Sequence, residues 1–150
     1  MVLEQWILPC CWAFLACAAF CLIFNIRGRT ILWASAGGAL GWLVYLLAGA
    51  GGAGDIFCNF AAIVVIAIYA ELVARLRKAP ATVFLIVALI PLVPGGGIYY
   101  AMEYCIRGEM DLFLDTTAHT LAIAGALALG ILLVSSAVRL WSLARERRPK

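Results

Sequence analysis

The chain has 150 residues, of which 66% are hydrophobic and only 13% are charged, with a formal net charge of +3. A soluble domain typically has about a quarter of its residues charged, so 11 basic and 8 acidic side chains are too few to cover a globule of this size. The composition excludes a soluble enzyme, a nucleic-acid-binding protein and a disordered chain, and it indicates an integral membrane protein in contact with lipid.

Long intervals without charge divide the chain into five apolar segments. Each has about the twenty residues that a helix needs to cross the hydrocarbon core. The predicted transmembrane helices cover residues 6–26, 31–54, 56–76, 80–105 and 116–140. No soluble domain, linker or internal repeat is visible. The predicted fold class is an all-α integral membrane protein, in which residues 1–150 form a single transmembrane domain.

The basic residues indicate the orientation of this domain. Ten of the eleven fall on one predicted side of the membrane, and Arg107 is the exception. The ten are Arg27, Arg29, Arg75, Arg77, Lys78, Arg139, Arg145, Arg147, Arg148 and Lys150. Because Lys and Arg are enriched in cytoplasmic loops, the sequence predicts an N-terminus outside and a C-terminus in the cytoplasm.

Small residues recur at helical spacing in two of the predicted helices. Gly37 and Gly41 form a GxxxG pattern, while Ala122, Ala126 and Gly130 follow one another at intervals of four. Such faces allow helix backbones to approach closely in a membrane. The pattern fits packing within the chain as well as an interface between subunits.

The six cysteines show neither a CxxC motif nor the spacing of a Cys/His metal site. We interpret them as small side chains in the core or facing lipid. The sequence predicts no metal and no cofactor.

The fourth predicted helix is interrupted at Pro91 and Pro94, and three glycines follow at once. Both prolines lack an N–H, so a continuous helix is not expected here. Irregular backbone at membrane depth is tolerated where it lines a cavity, and transporters bind substrates at broken helices. The N–H groups of a helix resuming near Gly97 would suit a carboxylate. The predicted substrate-binding residues are therefore Pro91, Pro94, Gly95, Gly96 and Gly97, and the alternative is a kink that only shapes the bundle.

The order of residues at this interruption resembles the signature of a known family. The segment Ile90-Pro-Leu-Val-Pro-Gly-Gly-Gly-Ile-Tyr99 resembles the P-x-x-P-G-x-x-x-Y signature of the threonine/serine exporter (ThrE) family. Phe24-Asn25, a basic loop and a Gly-rich helix are similar to the preceding segment of that family, although Arg27 stands where the family often has Pro. The resemblance covers about residues 24–141.

The resemblance implies a function and a partner. Members of the family are either one long polypeptide or a split pair, and this chain is similar to the short subunit. A larger membrane subunit supplying the N-terminal half of the exporter is then expected, or else a homo-oligomer. The family exports threonine and serine, and its split pairs are associated with dicarboxylates such as succinate, in the bacterial inner membrane. The residues that match by position are Asn25, Pro91, Pro94, Gly95 and Tyr99.

Four further polar residues are candidates for the site. Asn59 is costly in lipid, so we expect it to face a partner or a substrate cavity. Glu71, Glu103 and His119 are candidates for proton coupling. Each also has a structural interpretation. The two glutamates precede an arginine by four residues, which suits a helical ion pair, and a single histidine near the membrane surface is often only solvated.

Together these observations predict the small subunit of a secondary exporter of small carboxylates, driven by the proton-motive force. The alternative is a structural or assembly subunit without its own substrate site, which would not need the interrupted helix. An enzyme is not predicted, since the sequence has no HExxH, no GxSxG and no paired acids at membrane depth.

Overall fold

The computed structural model describes residues 3–146, and these residues are almost entirely helical. A short π-helical segment, Leu3–Ile7, leads into the first of six α-helices. The helices are α1 (Leu8–Ile23), α2 (Thr30–Ala50), α3 (Asp55–Arg77), α4 (Ala81–Leu89), α5 (Gly95–Arg107) and α6 (Met110–Glu146). The part of the chain described contains no β-strand.

The lengths and apolar composition of the helices indicate a multi-pass membrane protein. Four stretches, namely Glu4–Ile23, α2, α3 and most of α6, are long and apolar enough to cross a bilayer. The bent pair of α4 and α5 gives a fifth crossing if the two count as one span. The predicted all-helical membrane fold is confirmed at this level. The basic residues at 147, 148 and 150, on which part of the predicted orientation rests, lie outside the described residues.

Several predicted helix ends differ from the structure, among them the end of the first helix at Ile23 and that of the last at Glu146, predicted at residues 26 and 140. Helix α2 ends at Ala50, four residues early, because the chain turns at Gly51 and Gly52, the latter with φ of +82°. Helix α6 begins at Met110, six residues early, directly after Gly108 ends α5 in the left-handed region with φ of +76°. Acidic residues are favourable in the first turns of a helix, so Asp111 and Asp115 extend α6 rather than mark its start.

Small residues bring α1, α2 and α3 together. Gly38 packs against the side chain of Cys17, and Gly41 packs against that of Ile66. Both glycines are buried, and a Cβ at either would overlap its neighbour. Gly37, the other glycine of the GxxxG pattern, packs against Tyr69 of α3, so the pattern serves packing within this chain.

The interior has two apolar clusters. The first lies between α1, α2, α3 and α4 around Phe84 and Val87, both fully buried. The second, around Ile63 and Ile66, joins α3 to α6 and to the end of α4. Gly130 of α6 packs directly on Ile63, so the small-residue face of α6 also contributes to packing within the chain.

Between α4 and α5 the helix is interrupted. A 3-10 turn covers Ile90–Leu92, Val93 is extended, and α5 begins at Gly95 with an axis bent by 48° from that of the preceding pair of elements. Helix α4 packs on α2 and α3, whereas α5 packs on α6. The interruption consequently lies where four helices meet.

Candidate substrate site

A cavity of about 270 Å³ lies at the interruption, between the end of α2, the start of α3 and the first half of α6. Its lining combines apolar, hydroxyl, amide and ionisable side chains. The lining residues are Trp42, Tyr45, Asp55, Asn59, Pro91, Leu92, Pro94, Gly97, Thr116, His119, Thr120 and Ile123.

Asp55 is the most connected polar residue of the cavity. Its Oδ1 accepts a hydrogen bond from the Tyr45 hydroxyl at 2.7 Å and one from the Asn59 amide at 3.2 Å. Its Oδ2 lies 3.0 Å from Nε2 of His119. The same Asn59 amide also donates to the main-chain oxygen of Asp55 at 2.9 Å. Three helices thus meet on one carboxylate.

The local sequence explains why this carboxylate is held in place. Gly54 is extended and Asp55 is the first residue of α3, where the helix N-terminus favours a negative charge. Asn59 follows four residues later, which places it on the same face of the helix. Tyr45 approaches from the last turns of α2, because the loop between α2 and α3 is short.

The pair formed by Asp55 and His119 is accessible. The side chain of His119 is 53% exposed and that of Asp55 is 39% exposed. An ion pair with this exposure contributes little to the free energy of folding. Both groups can, however, be reached by water or by a small polar solute in the cavity.

Another part of the lining belongs to the start of α5. The N–H of Gly95 bonds to the Val93 carbonyl at 2.7 Å, and the first helical hydrogen bond runs from Ile98 to Pro94 at 3.2 Å. The N–H groups in the first turn of a helix have no carbonyl partner within the helix. The N–H of Gly97 belongs to this set and lies at the cavity lining.

Gly97 also fixes the position of α5. A Cβ at this residue would overlap Oγ1 of Thr120 on α6. The Thr120 hydroxyl itself donates to the main-chain oxygen of Thr116 at 2.6 Å. The close approach of Gly97 to Thr120 therefore requires the absence of a side chain at residue 97.

One further donor lies in the wall. The indole N–H of Trp42 is buried and has no hydrogen-bond partner among the described residues. Its ring stacks on that of Tyr45, with centroids 5.2 Å apart and planes 23° from parallel. Burying an N–H without an acceptor is costly, which makes a ligand with an acceptor oxygen favourable here.

Comparison with known proteins gives the family. The sequence model described as Threonine/Serine exporter, ThrE, matches residues 9–137. This chain belongs to the threonine/serine exporter family. Curated proteins and solved structures gave no match. The match covers every residue that lines the cavity.

The structure brings together five of the residues that the sequence predicted for substrate or proton binding in this exporter. Pro91, Pro94, Gly97, Asn59 and His119 all line the cavity. They come from three separate helices and from the interruption.

Three predicted substrate-binding residues near the interruption lie outside the lining. Gly95 and Gly96 have open space where a side chain would stand, with no atom within 4 Å of an added Cβ. Tyr99 is exposed and packs edge to face on Tyr100. Of the first residues of α5, only Gly97 is part of the lining.

Asn25 lies at the opposite end of α4 from the cavity. Its neighbours in sequence, Phe24 and Ile26, border a groove with Thr82 near the start of α4. Asn25 has φ of +56°, and its side-chain oxygen accepts a hydrogen bond from Nε of Arg27 at 2.9 Å. The contacts of Asn25 thus belong to the turn between α1 and α2.

The two glutamates named for proton coupling also lie away from the cavity. Glu71 is 3.9 Å from Arg75, and Glu103 pairs with Arg107. Both contacts join residues four apart on one helix, as the sequence suggested for the structural interpretation. Among the three candidates for proton coupling, only His119 contacts the cavity.

Sequence reasoning did not select Asp55, Tyr45 or Trp42 for the site. Asp55 bounds a charge-free segment and falls between the predicted helices 31–54 and 56–76. The signal that could have found it is the spacing of Asp55 and Asn59, which puts both on one helical face. No comparable signal pointed to Tyr45 and Trp42, since aromatic residues near a membrane surface commonly anchor helices.

Proposed function

We propose that this chain is a subunit of an exporter of threonine and serine, and that the cavity around Asp55 binds the substrate. The observation that carries the proposal is that groups of opposite charge preference line one cavity. The lining includes the Asp55 carboxylate and, through Gly97, the N-terminal turn of α5. An amino acid is a zwitterion and needs both.

Each end of the substrate has a partner of suitable chemistry. The ammonium group can bind the Oδ2 atom of Asp55, which is accessible in the cavity. The carboxylate can accept a hydrogen bond from the Gly97 N–H. It can also accept one from the indole N–H of Trp42 when the lining shifts enough to expose that buried atom. Thr116 and Thr120 of α6 also line the cavity, and their hydroxyl groups can interact with the hydroxylated side chain of the substrate.

The size of the cavity favours a small substrate. Its volume of about 270 Å³ is near the lower end of ligand pockets, which begin at about 300 Å³. Threonine and serine are among the smallest polar metabolites with both charges. A substrate with a bulky side chain would need a wider opening.

Dicarboxylates such as succinate are a second candidate. The lining, all of whose residues are described, includes no Lys or Arg, and His119 is in contact with Asp55, so a second substrate carboxylate would have no cation of its own and would lie near the Asp55 carboxylate. Like charges at this range repel. The cavity therefore supports an amino acid better than a dicarboxylate.

A partner that covers the cavity is part of the proposal. Asp55 and His119 are 39% and 53% exposed in this chain alone, and leaving charged groups in hydrocarbon costs several kcal/mol. A larger membrane subunit or a second copy of this chain would enclose them. We expect the complex in the bacterial inner membrane.

We further propose that the cavity opens near the outer face. The basic residues Arg27, Arg29, Arg75 and Arg77 occupy the opposite ends of the helices from Asp55, and basic ends favour the cytoplasm. Reporter fusions after Arg77 and in the turn at Glu109 should report opposite sides, cytoplasmic for the first. The reverse result, or one side for both, would refute the orientation.

Export of threonine by whole cells tests the site. Cells lacking their own threonine exporters are fed a threonine dipeptide, and extracellular threonine is measured. Asp55→Asn should lower export by about 10- to 100-fold, because a hydrogen bond between charged groups contributes about 1.5 to 3 kcal/mol. Asp115→Asn, which changes an exposed acid outside the lining, should export normally.

Several outcomes decide between the candidates. Export of succinate with no export of threonine would replace the amino acid by a dicarboxylate. Normal export by Asp55→Asn would remove the site from this cavity. Copurification should recover a larger membrane subunit. If the chain stabilises that subunit but all of its cavity variants export normally, the chain is an assembly subunit.

A further inference from the structure

The two carboxylate oxygens of Asp55 have different surroundings. Oδ1 is held by the Tyr45 hydroxyl and the Asn59 amide, both neutral donors on the chain itself. The contact of Oδ2 is His119, whose imidazole is half exposed to the cavity. One oxygen therefore fixes the carboxylate, and the other faces a group that can change its charge.

We propose that Oδ2 of Asp55 is bound in turn by protonated His119 and by the substrate ammonium, so that binding one threonine releases one proton. The proposal rests on the proposed function and names the coupling residue of the same site. In the empty state the Asp55 carboxylate pairs with the His119 imidazolium. When threonine enters, its ammonium takes Oδ2, and Nε2 of His119 gives its proton to cavity water.

Charge balances through this exchange. Before binding, the carboxylate and the imidazolium sum to zero, and after binding the carboxylate and the ammonium do so. The histidine N–H bond breaks, an O–H bond of hydronium forms, and the substrate carboxylate stays on its own donors in the lining. The cavity never holds two cations beside a single carboxylate.

The groups that face His119 support its role as the proton carrier. Tyr45 of α2 is a phenol in the lining, and a phenol ordinarily keeps its proton at neutral pH. The lining residues of the interruption have no titratable side chain. Asp115, four residues earlier on α6, is exposed and lies outside the lining. Imidazole is the side chain that ordinarily changes charge near neutral pH.

The exchange also gives the direction of transport. On the outer side, threonine leaves and a proton from outside water binds His119. The protonated imidazole then pairs with the Asp55 carboxylate again. On the cytoplasmic side, threonine displaces that proton. One proton enters for each threonine exported, and because threonine is neutral overall, each cycle moves one positive charge inward.

Everted membrane vesicles test this coupling with the full chain and whatever subunit copurifies with it. Wild type should accumulate labelled threonine when the lumen is acidified, and should also exchange it against unlabelled threonine without a gradient. His119→Gln keeps a hydrogen-bonding group beside Asp55 but cannot carry the proton. This variant should still exchange threonine, and its gradient-driven accumulation of threonine should fall at least tenfold.

The matched controls are Glu103→Gln, which changes an ion pair outside the cavity and should keep both activities, and Asp55→Asn, which should lose both. If His119→Gln still accumulates threonine when the lumen is acidified, the proposed coupling is wrong, although the proposed export function remains. Loss of exchange as well, at normal membrane levels, would assign His119 to binding or packing and overturn it too. If the wild-type protein transports no threonine, the proposed function itself is refuted.

A pH profile gives a second readout that packing alone would not change. Acidification on the side of substrate entry protonates His119, and the imidazolium then competes with threonine for Oδ2. The half-saturating threonine concentration should rise by about tenfold for each pH unit below the titration of the imidazole and stay constant above it, as release of one proton requires. In His119→Gln it should be constant throughout, and a retained slope would contradict the exchange.

Discussion

The two ends of α4 meet very different surroundings. Its first turns enter a dry interior around Phe84 and Val87, where side chains of four helices interlock and Cys17 donates a hydrogen bond to the Val87 carbonyl at 3.3 Å. Its last residues reach the cavity, where Asp55 and His119 remain half exposed. The same short helix thus borders a closed interior and an open polar site.

The difference follows from the residue types on the neighbouring helices. In the closed part of the bundle, Gly38 of α2 packs on Cys17 of the first cluster and Gly41 packs on Ile66 of the second, so that helix backbones approach until side chains touch. Around the cavity, Pro91 and Pro94 end the helix, and the bend of 48° carries α5 away from α2 and α3. Glycines close the bundle in one region, and prolines open it in the other.

The largest effect is expected from overfilling the closed interior. Gly41→Leu would drive a side chain into Ile66, which is completely buried. Overpacking by even a few methylene groups costs about 1 to 3 kcal/mol, and a whole leucine costs more. We expect little folded protein in the membrane, measured as the monodisperse fraction after detergent extraction.

Gly125→Leu is the control for that variant. Gly125 lies on α6 with no atom within 4 Å of an added Cβ, so the same substitution should leave the folded fraction near wild type. Equal yields from the two leucine variants would show that the approach of α2 to α3 is not tight.

An intermediate effect is expected where the two regions join, at Gly97 and Thr120. Gly97→Ala would place its methyl group on the Thr120 hydroxyl, and should lower the free energy of unfolding by about 1 to 3 kcal/mol and reduce export. Adding Thr120→Ala should restore most of the stability, because it removes the overlapping hydroxyl. Thermal unfolding of the two single variants and the double variant measures the coupling, and strictly additive effects would contradict the contact.

The sequence predicted much of the closed region and only part of the cavity. Charge-free intervals identified the helices, because lipid excludes charge from them whatever their neighbours are. The prolines indicated the interruption for an equally local reason. Asp55 could not be found this way, since its meeting with Tyr45 and His119 depends on how three helices pack. The same dependence explains why Tyr99, a neighbour of the interruption in sequence, lies outside the cavity lining.

The smallest effect is expected from removing one donor from the cavity wall. Trp42→Phe keeps an aromatic ring beside Tyr45 but deletes the buried indole N–H. A hydrogen bond contributes about 1 kcal/mol net, so the half-saturating threonine concentration should rise about fivefold with little loss of folded protein. Trp141→Phe, at an exposed position late in α6, should change neither quantity. An unchanged concentration for Trp42→Phe would remove the indole from the substrate contacts.

Helix α6 has a mechanical consequence. Its 37 residues contain no proline, and at 1.5 Å per residue it forms a rod about 55 Å long, well beyond the thickness of the hydrocarbon core. Gly130, which packs on Ile63 of α3, lies about 16 Å along the axis from His119. The cavity residue and this packing contact belong to one uninterrupted helix, so any displacement of α6 at the cavity must be accommodated at its contact with α3.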